Sequence, residues 1–378
     1  MKLLHILHTE AAAGWGGQEI RVLQETQLLL ERGHRVSLVC QTESPLEARA
    51  KSIFNSQFQL IAISMKSALS LGVFLVLYRY VSKNNPDVIH THSSIDSWLG
   101  GVVGKLSGIP VIRTRHVSLQ VNDFFPNHLL YSCIPQRILT SGNMISDIVK
   151  QVRCVDSNKV ISISAGVDLS KFNSRISGEK IRDELKIEVD QCLVGKIGVI
   201  RGWKGHNYFL EAIPLILQEI SKAKFVIVGD GPGFKEIKSK VKMAGLEDKV
   251  ILLGHREDIP QIIAALDVQV LASFEGEGTP QVIPQAFAMK TPMVSTTIGS
   301  IPDLLGNGER GVLIEPKNTG SLAQGVLKLI RNPEIANRLV ENAYSFCLKE
   351  LTVEKMMDRT IAIYEEVAIS SKKSLNLL

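Results

Sequence analysis

The segment Phe225-Val226-Ile227-Val228-Gly229-Asp230-Gly231-Pro232-Gly233 runs a short apolar stretch straight into a glycine-punctuated turn, and an amphipathic stretch follows it. Apolar residues without alternation predict a strand buried on both faces, as in a parallel sheet, and the glycines predict a tight turn into a helix. Outward in both directions the rhythm recurs. In the first half, strands are predicted near residues 3–7, 36–40, 60–63, 88–90, 111–114, 137–140 and 160–163. In the second half they are predicted near 194–200, 225–228, 250–253, 268–272, 293–295 and 312–314. Longer amphipathic runs fill the gaps, so the chain is expected to be α/β with helices on both faces of parallel sheets. The first helix begins after Gly16-Gly17, carries Ile20, Leu23, Gln27 and Leu30, and stops at Gly33.

At 378 residues, 45% of them apolar, the chain exceeds what one hydrophobic core usually supports. The rhythm pauses over residues 164–172 and the following stretch to 189 is polar, which places the hinge there. The expected domains are 1–165 and 166–352, two doubly wound Rossmann-like halves. Residues 353–378 are expected to form a C-terminal helix packing back on the first. Facing halves of this kind leave a cleft at the C-terminal ends of their strands, where chemistry is sought.

Five scattered cysteines without a C-x-x-C pair fit buried thiols in a reducing compartment. The apolar start reads as a first strand, not a signal peptide. The longest apolar stretch, 68–81, falls short of the roughly 20 residues that a bilayer span requires. A cytoplasmic protein is expected, peripheral at most on the inner membrane face. The net charge of +5 sits wholly in residues 1–165, with 16 Lys and Arg against 11 Asp and Glu; the remainder is balanced at 27 each. A basic first half suits acidic lipid headgroups or a phosphorylated acceptor, and equally an ordinary solvated surface. No basic run is interleaved with aromatics, so nucleic acid is not an expected partner.

Four loops carry candidate chemistry. Ala13-Gly14-Trp15-Gly16-Gly17-Gln18-Glu19 follows strand one and opens a helix, an arrangement open to an anion, although a plain connecting loop looks similar. In the turn at Gly229 and Gly231, Pro232 removes a donor and Asp230 adds negative charge, which disfavours a dinucleotide and hence a dehydrogenase. Arg201-Gly202-Trp203-Lys204-Gly205-His206 places a Lys and an Arg at a strand end, where they suit a diphosphate. The acidic loop from Ser273 through Glu275-Gly276-Glu277-Gly278-Thr279 to Gln285 supplies carboxylates and free N–H groups suited to sugar and ribose hydroxyls.

Taken with Arg32-Gly33-His34-x-Val36 and Pro86-Asp87-Val88-Ile89-His90-x-His92, these motifs resemble the family-four retaining glycosyltransferases of GT-B architecture over essentially the whole chain. The resemblance extends to bacterial lipopolysaccharide-core and surface-polysaccharide enzymes. It implies transfer of a hexose-type sugar from a nucleotide-diphosphate donor, a UDP-sugar before a GDP-sugar, to a glycan or lipid-linked acceptor. It also implies that His92 lies near the reacting end of the sugar, that Glu277 contacts its hydroxyls and that Lys204 meets the diphosphate. Gly16, Gly17, Arg201, Gly229, Gly231, Gly278 and Thr279 join these as donor contacts.

The family's E-x7-E spacing puts Glu277 first and Gln285 second, so a Gln stands where the family carries a Glu. Relatives commonly carry an Arg at the position of Val199, whereas this chain offers Arg201. Arg113, Arg115 and His116, which end a first-half strand, are candidate acceptor contacts, and residues 122–126 a candidate lipid-touching loop. No D-x-D occurs, so no metal and no cofactor are expected. A non-catalytic nucleotide-sugar-binding protein and a nucleotide-sugar epimerase share the architecture and remain alternatives.

Overall fold

A computed structural model describes residues 3–122 and 125–375. The chain divides into two compact units, Met1–Ala165 with Met356–Leu378, and Gly166–Lys355. The first holds β1 His5–Glu10, β2 Arg35–Gln41, β3 Phe58–Ile63, β4 Val88–Thr91, β5 Val111–Arg115, β6 Arg137–Thr140 and β7 Val160–Ser162. The second holds β8 Leu193–Ile197, β9 Lys224–Val228, β10 Val250–Gly254, β11 Val268–Leu271, β12 Met293–Thr296 and β13 Val312–Ile314. Strand orders are β3-β2-β1-β4-β5-β6-β7 and β10-β9-β8-β11-β12-β13. Every strand pairing is parallel. Each sheet therefore reverses direction once, between β1 and β4 and between β8 and β11. Loops on either side of such a reversal splay apart and leave a crevice at the strands' carboxyl ends. Both sheets are of the doubly wound, Rossmann-like kind expected from the sequence.

Alternation along the strands builds a core on each face. In the first unit Leu7, Val39, Ile89 and Val111 meet Val73, Leu77, Leu99 and Val103 on one side. On the other side Ile6, Val36, Val88 and Ile112 meet Leu29, Met357, Ile361 and Tyr364. The last two helices of the chain are Pro333–Glu350 and Val353–Leu375. The final one thus closes a face of the first sheet. In the second unit Val194, Phe225 and Ile227 pack on Phe209, Ile213 and Val326. Leu193, Val226 and Val228 pack on Ile262 and Ile263 behind them.

The first helix, Gly17–Glu31, buries Val22, Glu25, Thr26, Leu29 and Leu30, while Ile20 is left exposed. Its inner face is half polar because it covers a cluster of titratable groups. β8 stops at Ile197, short of the expected residue 200, because Gly198 turns the chain at φ +145°. The helix Leu71–Asn84 buries Val73, Leu77 and Val81 and leaves Leu75, Val76 and Tyr78 exposed. No helix among the described residues is long and apolar enough to cross a membrane.

Candidate active site

Lys204 and Glu277 stand on the two loops that flank the reversal of the second sheet, one after β8 and one after β11. Lys204 Nζ donates to Glu277 Oε1 at 2.5 Å, and Ser273 Oγ donates to the same oxygen at 2.6 Å. The Lys204 side chain remains 22% exposed and that of Glu277 6%, so the ammonium reaches solvent above a sunken carboxylate. The loops are also stitched by backbone, Phe274 N to Trp203 O at 2.9 Å. Behind Lys204, Gly205 takes φ +69° and opens the helix His206–Glu219. A side chain at 205 would put its Cβ 1.9 Å from the Ala272 carbonyl oxygen, so only glycine lets the loops approach this closely.

Beneath the pair lies Lys196, a 1% exposed lysine in the middle of β8. Burial, then repulsion from Lys204, pulls its ammonium down to about 7, with Glu277 opposing. His206 is buried beside these amines and neither ring nitrogen has a hydrogen-bond partner. Burial and the two lysines hold it neutral. Two amines and a helix N-terminus thus share one carboxylate, an excess of positive potential that an anion would relieve. Thr279 Oγ1, further along the acidic loop, is buried and unpartnered, and Gly278 is buried beside it. Gln285 is half-buried on the helix Val282–Ala288. Arg201 is exposed, its guanidinium 5.5 Å from the Trp203 ring centre.

The glycine turn after β9 has a packing reason for its sequence. A Cβ at Gly229 would fall 2.1 Å from the Gly198 oxygen, and one at Gly231 would fall 2.7 Å from that of Ile200. Ile200 N donates to Asp230 O, and Gly233 N to Ile200 O, so this turn braces the loop that carries Arg201 and Lys204.

In the first unit, Gly16 and Gly17 open their helix with the Glu19 carboxylate already accepting from Gly16 N at 2.6 Å. His92 follows β4 and is 3% exposed. Its Nε2 lies 2.9 Å from His8 Nδ1, and its Nδ1 lies 3.2 Å from His116 Nε2. Its backbone N–H donates to Asp96 Oδ2, which also accepts from Thr9 Oγ1. Neighbouring His90 is tied to Tyr364 Oη and Thr114 Oγ1, each at 2.6 Å. Arg21 Nε donates to Glu25 Oε1 at 2.7 Å, a fully buried pair.

His8, Glu25, His90 and His92 offer ligand atoms within 4.8 Å of one another. Both nitrogens of His90 and of His92 are engaged, however, which leaves His8 Nε2 and Glu25 Oε2 as free donors beside the Arg21 guanidinium. Two ligands next to a cation make a poor metal site.

Arg113 is not at a solvated strand end. It is 4% exposed, its guanidinium 4.2 Å from the Tyr131 ring centre. Arg115 Nη1 donates to Tyr131 Oη at 2.6 Å and Nη2 to the Leu119 carbonyl, while His116 belongs to the histidine group through His92. Asp123 and Phe124 of the candidate lipid-touching loop lie outside the described residues; Phe125 is exposed. Sequence reading assigned no role to His8, Arg21, Glu25 and Lys196. For Lys196 a signal existed, a charge inside an otherwise apolar strand flanked by Val194 and Ile197.

The family model described as Glycosyltransferase Family 4 matches residues 15–171, and that described as Glycosyl transferases group 1 matches residues 177–346. A curated relative from Escherichia coli, UDP-Gal:alpha-D-GlcNAc-diphosphoundecaprenol alpha-1,3-galactosyltransferase, is 26% identical over 97% of this chain and 98% of its own. Among solved structures, a glycosyltransferase from Rickettsia africae superposes with a TM-score of 0.85 at 20% identity, covering 97% of this chain and 99% of that one. The Anabaena HepE protein in complex with UDP gives 0.85 at 18% identity, covering 96% and 100%.

Proposed function

The chain belongs to the family 4, group 1 glycosyltransferases of GT-B fold, and on that premise we propose that it moves a hexose-type sugar, with retention of configuration, from a UDP-sugar to a glycan or lipid-linked acceptor of a bacterial surface polysaccharide or lipopolysaccharide. The observation that carries this reading is the Lys204–Glu277 pair above buried Lys196, at the reversal point of the second sheet. The donor divides the pair. Lys204 turns to the diphosphate, where charge grows as the sugar departs, and Glu277 turns to sugar hydroxyls. The helix N-terminus at His206 adds positive potential, so departure of the diphosphate is assisted by the chain's own groups and no metal is invoked. The bond from the anomeric carbon to the β-phosphate oxygen breaks and a bond to the acceptor oxygen forms on the same face. The acceptor proton leaves on the diphosphate, and no carboxylate base is needed.

UDP is chosen because the Escherichia coli relative is named for a UDP-sugar and the Anabaena neighbour was solved with UDP. A lipid-linked acceptor is supported by that relative's name and by an apolar groove of about 460 Å³ lined by Leu69, Leu71, Phe74, Trp98 and Pro126. Leu69, Leu71 and Phe125 are exposed, as are Lys66 and Arg79, a mixture suited to an anionic membrane surface and to a peripheral, cytoplasmic enzyme. A thermal-shift screen against UDP-, GDP- and ADP-sugars tests the donor class, since a ligand that binds the folded state raises its melting temperature. Stabilisation by UDP-sugars alone is expected; a response to GDP- or ADP-sugars alone would overturn the choice.

A further inference from the structure

His8 lies within β1, and His92 and His116 directly follow its neighbours β4 and β5, so that the sheet order brings their rings side by side. The rings are nearly stacked, His8 on His92 at 5.2 Å and 18°, His92 on His116 at 5.5 Å and 29°. We propose that these three imidazoles form one hydrogen-bonded relay in which His8 and His116 are positioning residues that lock the tautomer and orientation of His92. The proposal rests on the reading of the chain as a glycosyltransferase with His92 beside the reacting sugar.

A neutral imidazole carries one N–H, and His92 has a ring partner at each nitrogen, so one bond must be donated and the other accepted. The whole relay therefore has two coherent states, and a change at one end changes the other. Burial keeps the three rings neutral. His8 Nε2 is buried without a partner. A buried N–H lacking an acceptor is rarer and costlier than a bare lone pair, which puts the His8 proton on Nδ1. His8 then donates to His92 Nε2, and His92 Nδ1–H donates to His116 Nε2. The N–H of His116 sits on Nδ1, at the end of the relay that reaches solvent. Nearby groups hold the frame. Asp96 fixes the His92 backbone, Tyr364 and Thr114 keep His90 out of the relay, and Arg21 pairs with Glu25. The tautomer of His92 is thereby set from the buried end of the relay, by His8.

Amide replacements test this. An Asn side chain places its polar atom where Nδ1 was, and a Gln where Nε2 was. His8→Asn and His116→Gln keep the relay; His8→Gln and His116→Asn break it. The breaking variants are expected to lose about tenfold to a hundredfold in kcat with donor KM within about twofold, and the keeping variants to stay within about threefold of wild type. Equal activity of the Asn and Gln variants at either position would overturn the relay. Nitrogen-15 spectra of the histidine rings in the unaltered chain read the tautomers without any assay of transfer. The Nδ1–H form of His92 is expected, and the Nε2–H form would overturn the assignment. If instead the tautomer is as expected and no sugar is transferred by any variant, the relay stands and the reading of the enzyme falls.

Discussion

Lys204 Nζ and Glu277 Oε1 lie 2.5 Å apart, each held by a loop from a different side of the second sheet's reversal point. Because both cannot serve the donor while bound to each other, removing one has a different effect from removing the other. On the proposed reading Lys204→Met takes away the cation that meets the diphosphate, and UDP binding is expected to weaken at least tenfold by calorimetry. Glu277→Gln leaves Lys204 without its carboxylate, so UDP binding is expected to be unchanged or tighter while kcat falls by about a hundredfold or more. Equal weakening of UDP in both variants would mean that the pair acts as one structural unit.

Gln285 stands where the family's second Glu is expected, on the first turns of Val282–Ala288. A carboxylate hydrogen bond to a ribose hydroxyl exceeds an amide one by about 1 kcal/mol, or roughly fivefold in affinity. Gln285→Glu is expected to lower the donor KM by about that factor with kcat nearly unchanged, read from initial rates over a donor series.

Gly205 and Gly229 are predicted to matter for folding before they matter for binding. With Cβ positions 1.9 Å and 2.1 Å from backbone oxygens and φ of +69° and +136°, alanine at either forces the site loops apart. A loss of about 2 kcal/mol or more per substitution is expected from urea unfolding. Gly202, which has open space around it, is the control and is expected to tolerate alanine.

Acid is expected to unfold the first unit early. His8 is pushed down to about 3, and His90, His92 and His116 well below their ordinary value, all chiefly by burial. Between about pH 6.5 and 3 the unfolded chain takes up protons that the folded one refuses, so stability falls as pH falls. Glu10 and Asp96 oppose this, since burial raises both and their protonated forms favour the fold at low pH. Four histidines against two carboxyls leave a net loss. Melting temperatures from pH 7 to pH 5 should drop more steeply than one proton explains, and a flat profile would contradict the buried neutral cluster.

Lys196 acts with the same sign in a higher window. Its ammonium is pulled down to about 7, so from there to about pH 10 the unfolded chain binds a proton that the folded chain lacks, and stability climbs with pH. Lys196→Met is expected to raise the melting temperature at pH 7 and to flatten that climb. An unchanged climb would mean that Lys196 stays charged within the sheet.

Much of this was legible from residue order. Every expected strand is present, and that at Arg137–Thr140 needs no adjustment, because doubly buried strands announce themselves as apolar runs between turns. Lys204 and Glu277 were legible as loop residues at strand ends, since the strand-turn-helix pattern locates the carboxyl edge. The histidine relay was not. His8, His92 and His116 are far apart in the chain, and what joins them is the order β1-β4-β5, which no local pattern encodes. The polar inner face of Gly17–Glu31 was hidden for the same reason: Arg21 and Glu25 look solvated until the cluster beneath them is known. Arg113 and Arg115 read from the sequence as candidate acceptor contacts, and their bonds to Tyr131, distant in sequence, were not legible there.

The most direct measurement is product analysis with purified protein, a UDP-hexose and a polyprenyl-diphosphate-linked sugar acceptor, comparing the wild type with Lys204→Ala and Glu277→Ala. The account predicts an acceptor lengthened by one sugar in the donor's anomeric configuration for the wild type. Both folded variants should give none. Full transfer by both variants, or an inverted linkage in the wild-type product, would contradict it.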